Sequence, residues 1–156
     1  MKRYKDFVSD AQKDCSELMP WDVKDLMEAD SDKVLLVDVR CPQEYAAMHI
    51  DGSLNISRGI LEPAAEWGYD ETEPELVRSK DSKKVVLICR SGNRSLLAAK
   101  TMQEMGYRDV VSLRTGLRGW NDAEYPLVDG AGLPVSLDEG DAFFNRPVPP
   151  EKLGPR

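Results

Sequence analysis

Short unbroken apolar runs alternate along the chain with stretches of helical periodicity. Residues 34–39 (VLLVDV) and 84–89 (KVVLIC) are rich in Val, Leu and Ile, the pattern of strands buried on both faces of a parallel sheet. Residues 109–113 (DVVSL) read as a third strand and 53–57 (SLNIS) as a weaker fourth. Between them, 20–30 begins with a proline suited to a first helical turn and sets Val23, Leu26 and Met27 on one face. Residues 94–106 carry Leu97, Ala98, Met102 and Met105 at helical spacing and end at Gly106, a helix stop. Strands alternating with helices predict an α/β domain with a mostly parallel sheet and helices on both faces. Residues 61–83, acidic and broken by Pro63, Gly68 and Pro74, read as a surface excursion with short helices. From Pro126 onward, prolines and sparse apolar residues predict an irregular tail wrapped on the surface, with Phe143 and Phe144 as anchors. The expected organisation is a helical N-terminal extension over 1–16, a domain over 17–126 and a Pro-rich extension over 127–156.

The chain has 156 residues, enough for one domain and a single core. Its net charge of -7 argues against nucleic acid as the main partner. No apolar run approaches the ~20 residues of a membrane span, and the N-terminal residues lack the apolar segment of a secretory signal. Three cysteines at no metal-like spacing and a single histidine predict no metal site. Free thiols fit a reducing, cytoplasmic compartment. The acidity is uneven, however. Residues 85–120 carry six Lys/Arg against two Asp/Glu, a local positive field suited to a small anionic substrate.

That basic stretch holds the most unusual motif. The strand at 84–89 ends in Cys89, and Arg90, Ser91, Gly92 and Asn93 lead to Arg94 at the start of a helix. Ligands bind at the carboxyl ends of strands in parallel sheets. A tight loop there, feeding a helix N-terminus, points backbone N–H groups at one spot and forms an anion nest. A sulfur at that spot is favoured as thiolate, a nucleophile that needs no histidine base. Asp38 and Arg40 end the neighbouring strand at the same sheet edge and are expected to frame the loop, with Glu44 as a further partner for Arg40. Arg58 is a candidate for the pocket mouth, and Cys41 for a resolving thiol. Cys15 reads as incidental, His49 as structural, and Trp120 as core packing.

The segments CRSGNRS and AAKTMQEMGYRDVVSLRTGLRGW, together with VDVRCPQEYAAMHIDGSLNI, resemble the rhodanese sulfurtransferase family over residues 17–126. Met48, Asp51 and Thr115 depart from the family's usual glycine, proline and glycine. The resemblance implies a five-stranded sheet, no cofactor, and Cys89 as the residue that takes a sulfane sulfur as a persulfide. The amides of Arg90 through Arg94 would cradle the outer sulfur, and the Arg90 and Arg94 side chains would attract an anionic donor such as thiosulfate. The acceptor would be cyanide or a thiol. The alternative is a relay passing persulfide sulfur between protein partners such as a sulfur carrier; a catalytically silent binding module fits an intact cysteine least well. Related phosphatases and arsenate reductases use one more residue between Cys and Arg, so the four-residue spacer favours sulfur transfer over oxyanion chemistry.

Overall fold

The structure, a computed structural model, describes residues 1–155. Five strands, β1 (Ser16–Leu18), β2 (Val34–Asp38), β3 (Leu54–Asn55), β4 (Lys84–Ile88) and β5 (Val110–Leu113), form one sheet in the order β1-β5-β4-β2-β3. Every pairing is parallel. The helices are α1 (Tyr4–Asp14), α2 (Pro20–Ala29), α3 (Pro42–Ala47), α4 (Leu61–Ala64), α5 (Pro74–Arg78), α6 (Asn93–Glu104), α7 (Gly116–Asp122) and α8 (Leu137–Phe144).

The apolar runs give the central strands because alternate side chains feed two separate cores. Leu35, Val37, Val85 and Leu87 pack with Ala98, Ala99 and Met102 of α6 on one face. Leu36, Val86, Ile88 and Val111 pack with Val23 of α2, Trp120 of α7 and Phe144 of α8 on the other. Outside the first layer, α1 lies against α6 through Val8, Ala11 and Leu96. The pairs Asp14–Lys100 and Cys15–Gln103 fix its register, so the start of α1 lies toward the start of α6.

Four elements escape the sequence pattern: α3, α7, β1 and α8. Ser16-Glu17-Leu18 is too short and polar to announce a strand; β1 exists because β5 leaves an edge to pair with, and Arg114 N–H donates to the Leu18 carbonyl at 2.8 Å. The C-terminal segment is not irregular throughout. Ser136 caps α8 by accepting from the Glu139 N–H at 3.1 Å. Its S-x-x-E spacing is a helix-start signature that composition obscured. Phe144 is the buried anchor, and Phe143 is only half-buried.

Candidate active site

At the centre of the sheet, β2 and β4 end side by side, with Asp38 opposite Ile88. The next residue of each chain segment builds the site. Cys89 is buried to 1% exposure, with its sulfur held from three directions. The Gly92 N–H donates to Sγ at 3.1 Å and the Ser95 N–H at 3.4 Å. The Ser95 hydroxyl lies 3.3 Å from Sγ and 2.7 Å from the hydroxyl of Ser112 on β5. Gly92 reaches this geometry with φ 93°, a left-handed conformation at the entrance to α6. The amides of Arg90, Ser91, Asn93 and Arg94 have no backbone acceptor among the described residues. The sulfur thus sits at the start of a twelve-residue helix, in a loop that also carries four amides without a backbone acceptor.

The outer side of the loop is fixed by α7. Leu117 N–H donates to the Cys89 carbonyl at 2.9 Å and Arg118 N–H to the Arg90 carbonyl at 3.0 Å. These bonds hold the Cys89 and Arg90 carbonyls toward α7. Gly116 is required at the contact, since a Cβ there would lie 2.5 Å from the Arg90 carbonyl. Thr115, which replaces a glycine of the resembled motif, adopts the left-handed conformation itself, at φ 69°. The departure thus carries local backbone strain.

The framing pair is present. Arg40 Nε and Nη2 donate to the Asp38 carboxylate at 2.9 and 2.8 Å, and Nη2 also to the Met48 carbonyl at 2.7 Å. Both residues are fully buried. Together they lock the turn beside the Cys89 loop. His49 is held by packing, its ring stacked 3.7 Å from that of Tyr45 and its Nδ1 2.8 Å from the Tyr45 carbonyl. Trp120 is fully buried and donates to the Pro126 carbonyl at 3.0 Å. Cys41 is an exposed thiol at the start of α3. Cys15 is half-buried, and burial pushes its thiol up.

Three expectations are corrected. Glu44 partners Arg94, not Arg40: the Arg94 guanidinium donates to both carboxylate oxygens, at 2.9 and 3.0 Å. That bidentate pair holds the Glu44 carboxyl below the usual carboxylate range and the Arg94 guanidinium above its own. The Arg94 charge is therefore already matched, and its side chain is a clamp on the loop. Arg58 does not line the mouth. Its guanidinium is committed to Glu62 at 2.8 Å and to Thr101, well along α6, at 3.0 Å.

Sequence reasoning missed Ser95, Ser112 and Tyr4. Ser112 had a signal, as the one hydroxyl inside an otherwise apolar strand. Tyr4 had none. Burial pushes its phenol up, the Cys89 charge adds to this and Arg94 opposes it. The N-terminal helix thus brings Tyr4 within electrostatic reach of the cysteine.

Fold and site together define a parallel α/β domain built around a strand-end cysteine loop. The Rhodanese-like domain profile matches residues 19–123, and the chain belongs to that family. It is 35% identical over 94 residues to the putative sulfur carrier protein YrkF of Bacillus subtilis, covering 60% of this chain and 45% of YrkF. It is 33% identical over 104 residues to a sulfurtransferase of Allochromatium vinosum, covering 67% of this chain and 87% of that one. The chain spans about half the length of some curated relatives it matches, YrkF among them. Among solved structures, a Rhodopseudomonas palustris protein of unknown function, described as a possible tyrosine phosphatase, superposes with TM-score 0.74 at 31% identity. That match covers 81% of this chain and 94% of the other. No helix among the described residues is long and apolar enough to cross a membrane.

Proposed function

We propose that the protein is a sulfurtransferase working by double displacement through a Cys89 persulfide, with thiosulfate as a donor. The Cys89 thiolate attacks the outer sulfur of thiosulfate, the S–S bond breaks, and sulfite leaves with the bonding pair. A thiophilic acceptor, cyanide or a thiolate, then takes the outer sulfur and returns the Cys89 thiolate. The observation that carries this reading is the tight Cys89 loop, in which the Gly92 N–H and the N–H and hydroxyl of Ser95 converge within 3.1–3.4 Å on one sulfur. In the persulfide, the added sulfur sits about 2.05 Å beyond Sγ, where the free amides of Arg90, Ser91, Asn93 and Arg94 can meet its charge.

The four-residue spacer also argues against phosphatase activity in this protein, because a phosphoryl group needs a wider cradle. A relay role is favoured by the likeness to a putative sulfur carrier; donor and acceptor would then both be proteins. Cys41 fits either reading as a resolving thiol. Its thiolate would attack the Cys89 sulfur of the persulfide and expel hydrosulfide, leaving a disulfide.

Intact-mass measurement after mixing with thiosulfate tests the proposal. One added sulfur atom is expected on the protein and none on Cys89→Ser, which should keep its fold. A variant that still accepts sulfur would discredit Cys89 as the nucleophile. Cyanide should clear the adduct with release of thiocyanate, whereas loading without turnover would favour the relay. Cys89-dependent hydrolysis of aryl phosphates would overturn the sulfur-transfer reading.

A further inference from the structure

The C-terminal segment beyond the matched family region folds back onto the cysteine loop. It builds one wall of a surface groove of about 420 Å³, whose other wall is Arg90 and Glu44. Docking of α8 sets this arrangement. Phe144 is buried in the core, and the Asn121 amide donates to the Asp141 carboxylate at 2.8 Å. Pro147 and Pro149 stiffen the chain that follows, carrying it past the loop to the 3₁₀ turn at Pro150–Lys152. The groove therefore begins at the residue directly after Cys89 and at the carboxylate that clamps the loop's last residue.

Its charge is one-sided. Arg90, Arg146 and Lys152 line it, are exposed, and have no acidic partner among the described residues. Glu44 is the one acid in the lining, and its carboxylate is occupied by Arg94. The floor is apolar, from Phe143 and Val148, and Arg146 stacks over the Phe143 ring at 4.6 Å. In a protein of net charge -7, three free cations around an apolar floor form a local anion trap. The volume holds roughly a dozen waters at about 30 Å³ each. Thiosulfate, with five heavy atoms, would leave most of it empty.

We propose that the groove binds the sulfur acceptor, and that this acceptor is a small thiol of peptide size bearing carboxylates. The proposal rests on the persulfide reading above and gives it a substrate class. The carboxylates pair with Arg146, Lys152 and Arg90, while the aliphatic stem lies on Phe143 and Val148. The thiolate is delivered past Arg90 to the loop. It attacks the outer sulfur of the Cys89 persulfide, a new S–S bond forms, and the Cys89 Sγ–S bond breaks. The pair returns to Cys89 as thiolate, and the organic persulfide leaves as its anion, carrying the charge that the outer sulfur held on the protein.

The test loads the 156-residue protein with thiosulfate and compares two acceptors. Glutathione serves as the carboxylate-bearing thiol and 2-mercaptoethanol as the neutral one. The same comparison is run on R146A/K152A and on the charge-reversed R146E/K152E. Both sites are exposed, so the fold should survive. The expected result is a glutathione KM that rises roughly tenfold in the alanine variant and further on reversal, with kcat changing less. The KM for 2-mercaptoethanol should move little, so the ratio of the two is the readout. Added salt should erode the wild-type preference for glutathione. An unchanged ratio in proteins that carry the Cys89 persulfide would overturn the groove assignment alone. Wild-type protein that takes no sulfur onto Cys89 would overturn the underlying persulfide reading.

Discussion

Arg94 is held by Glu44 through two hydrogen bonds of 2.9 and 3.0 Å, across a gap between α3 and α6. The two arginines that bracket the cysteine loop therefore differ in what they can offer a ligand. Arg94 is matched and serves as a brace. Arg90 is exposed and, among the described residues, has no acidic partner. Of the two, Arg90 is the one whose guanidinium is free to meet an incoming anion.

Arg90→Ala should therefore raise the thiosulfate KM more than it lowers kcat, the signature of lost ground-state binding. The loss should be about 1.5–3 kcal/mol, the range for a hydrogen bond to a charged group. It should shrink as ionic strength rises. Steady-state kinetics across a salt series check this, and a KM that stays flat at every salt concentration would count against an anionic donor at Arg90.

Glu44→Gln should leave Arg90 untouched and loosen the brace. Stability should fall by about 1 kcal/mol, the upper end for a partly exposed pair. The rate of persulfide formation should fall with it, and the thiosulfate KM should not rise. The pH dependence has a definite sign. Arg94 lowers the folded-state pKa of Glu44, so the pair's contribution is complete above the ordinary carboxylate value near 4.3. It is lost as pH falls through the lower folded value. Acid unfolding curves of wild type and variant should converge at the acid end and separate above it.

Thr115→Gly should stabilise the protein slightly. A left-handed β-branched residue costs about 1–2 kcal/mol, whereas glycine adds about 0.5–1 kcal/mol of chain entropy. The net gain should be about 0.5–1 kcal/mol, read as a higher urea midpoint at unchanged slope. Destabilisation instead would show that the Thr115 side chain contributes packing greater than its backbone strain.

Tyr107 sets an alkaline limit. Its phenol donates to the Ala65 carbonyl at 2.9 Å, and burial pushes its pKa up to about 12. The folded value exceeds the unfolded one near 10, so its contribution is complete below pH ~10 and lost as pH rises toward 12. The full difference is worth on the order of 3 kcal/mol. Tyr107→Phe should cost about 1 kcal/mol at neutral pH through the lost hydrogen bond. It should also flatten the alkaline fall in stability, as followed by circular dichroism.

Much of the domain was legible in the one-dimensional pattern. The runs at 34–39 and 84–89 had to be buried on both faces, because they carry too few polar side chains to meet water on either. They became β2 and β4, the middle of the sheet. A strand end, a cysteine, a four-residue spacer and a helix start are all local features, so the cysteine ring could be read from consecutive residues. The N-terminal helix and the stop at Gly106 were local for the same reason.

What the sequence could not assign were the partners of charges. Glu44 is close in sequence to Arg40 and far from Arg94, yet Asp38 pairs with Arg40 from two residues away, and Glu44 pairs with the other arginine. Arg58 likewise turns to Thr101, 43 positions along the chain. The same holds for Ser95 meeting Ser112, and for the tail that returns to Arg90. Apolar periodicity and turn chemistry act between residues a few positions apart, so a single sequence carries them. An ion pair or groove wall depends on which side chains the packed layers bring within a few ångströms, and only the tertiary structure decides that.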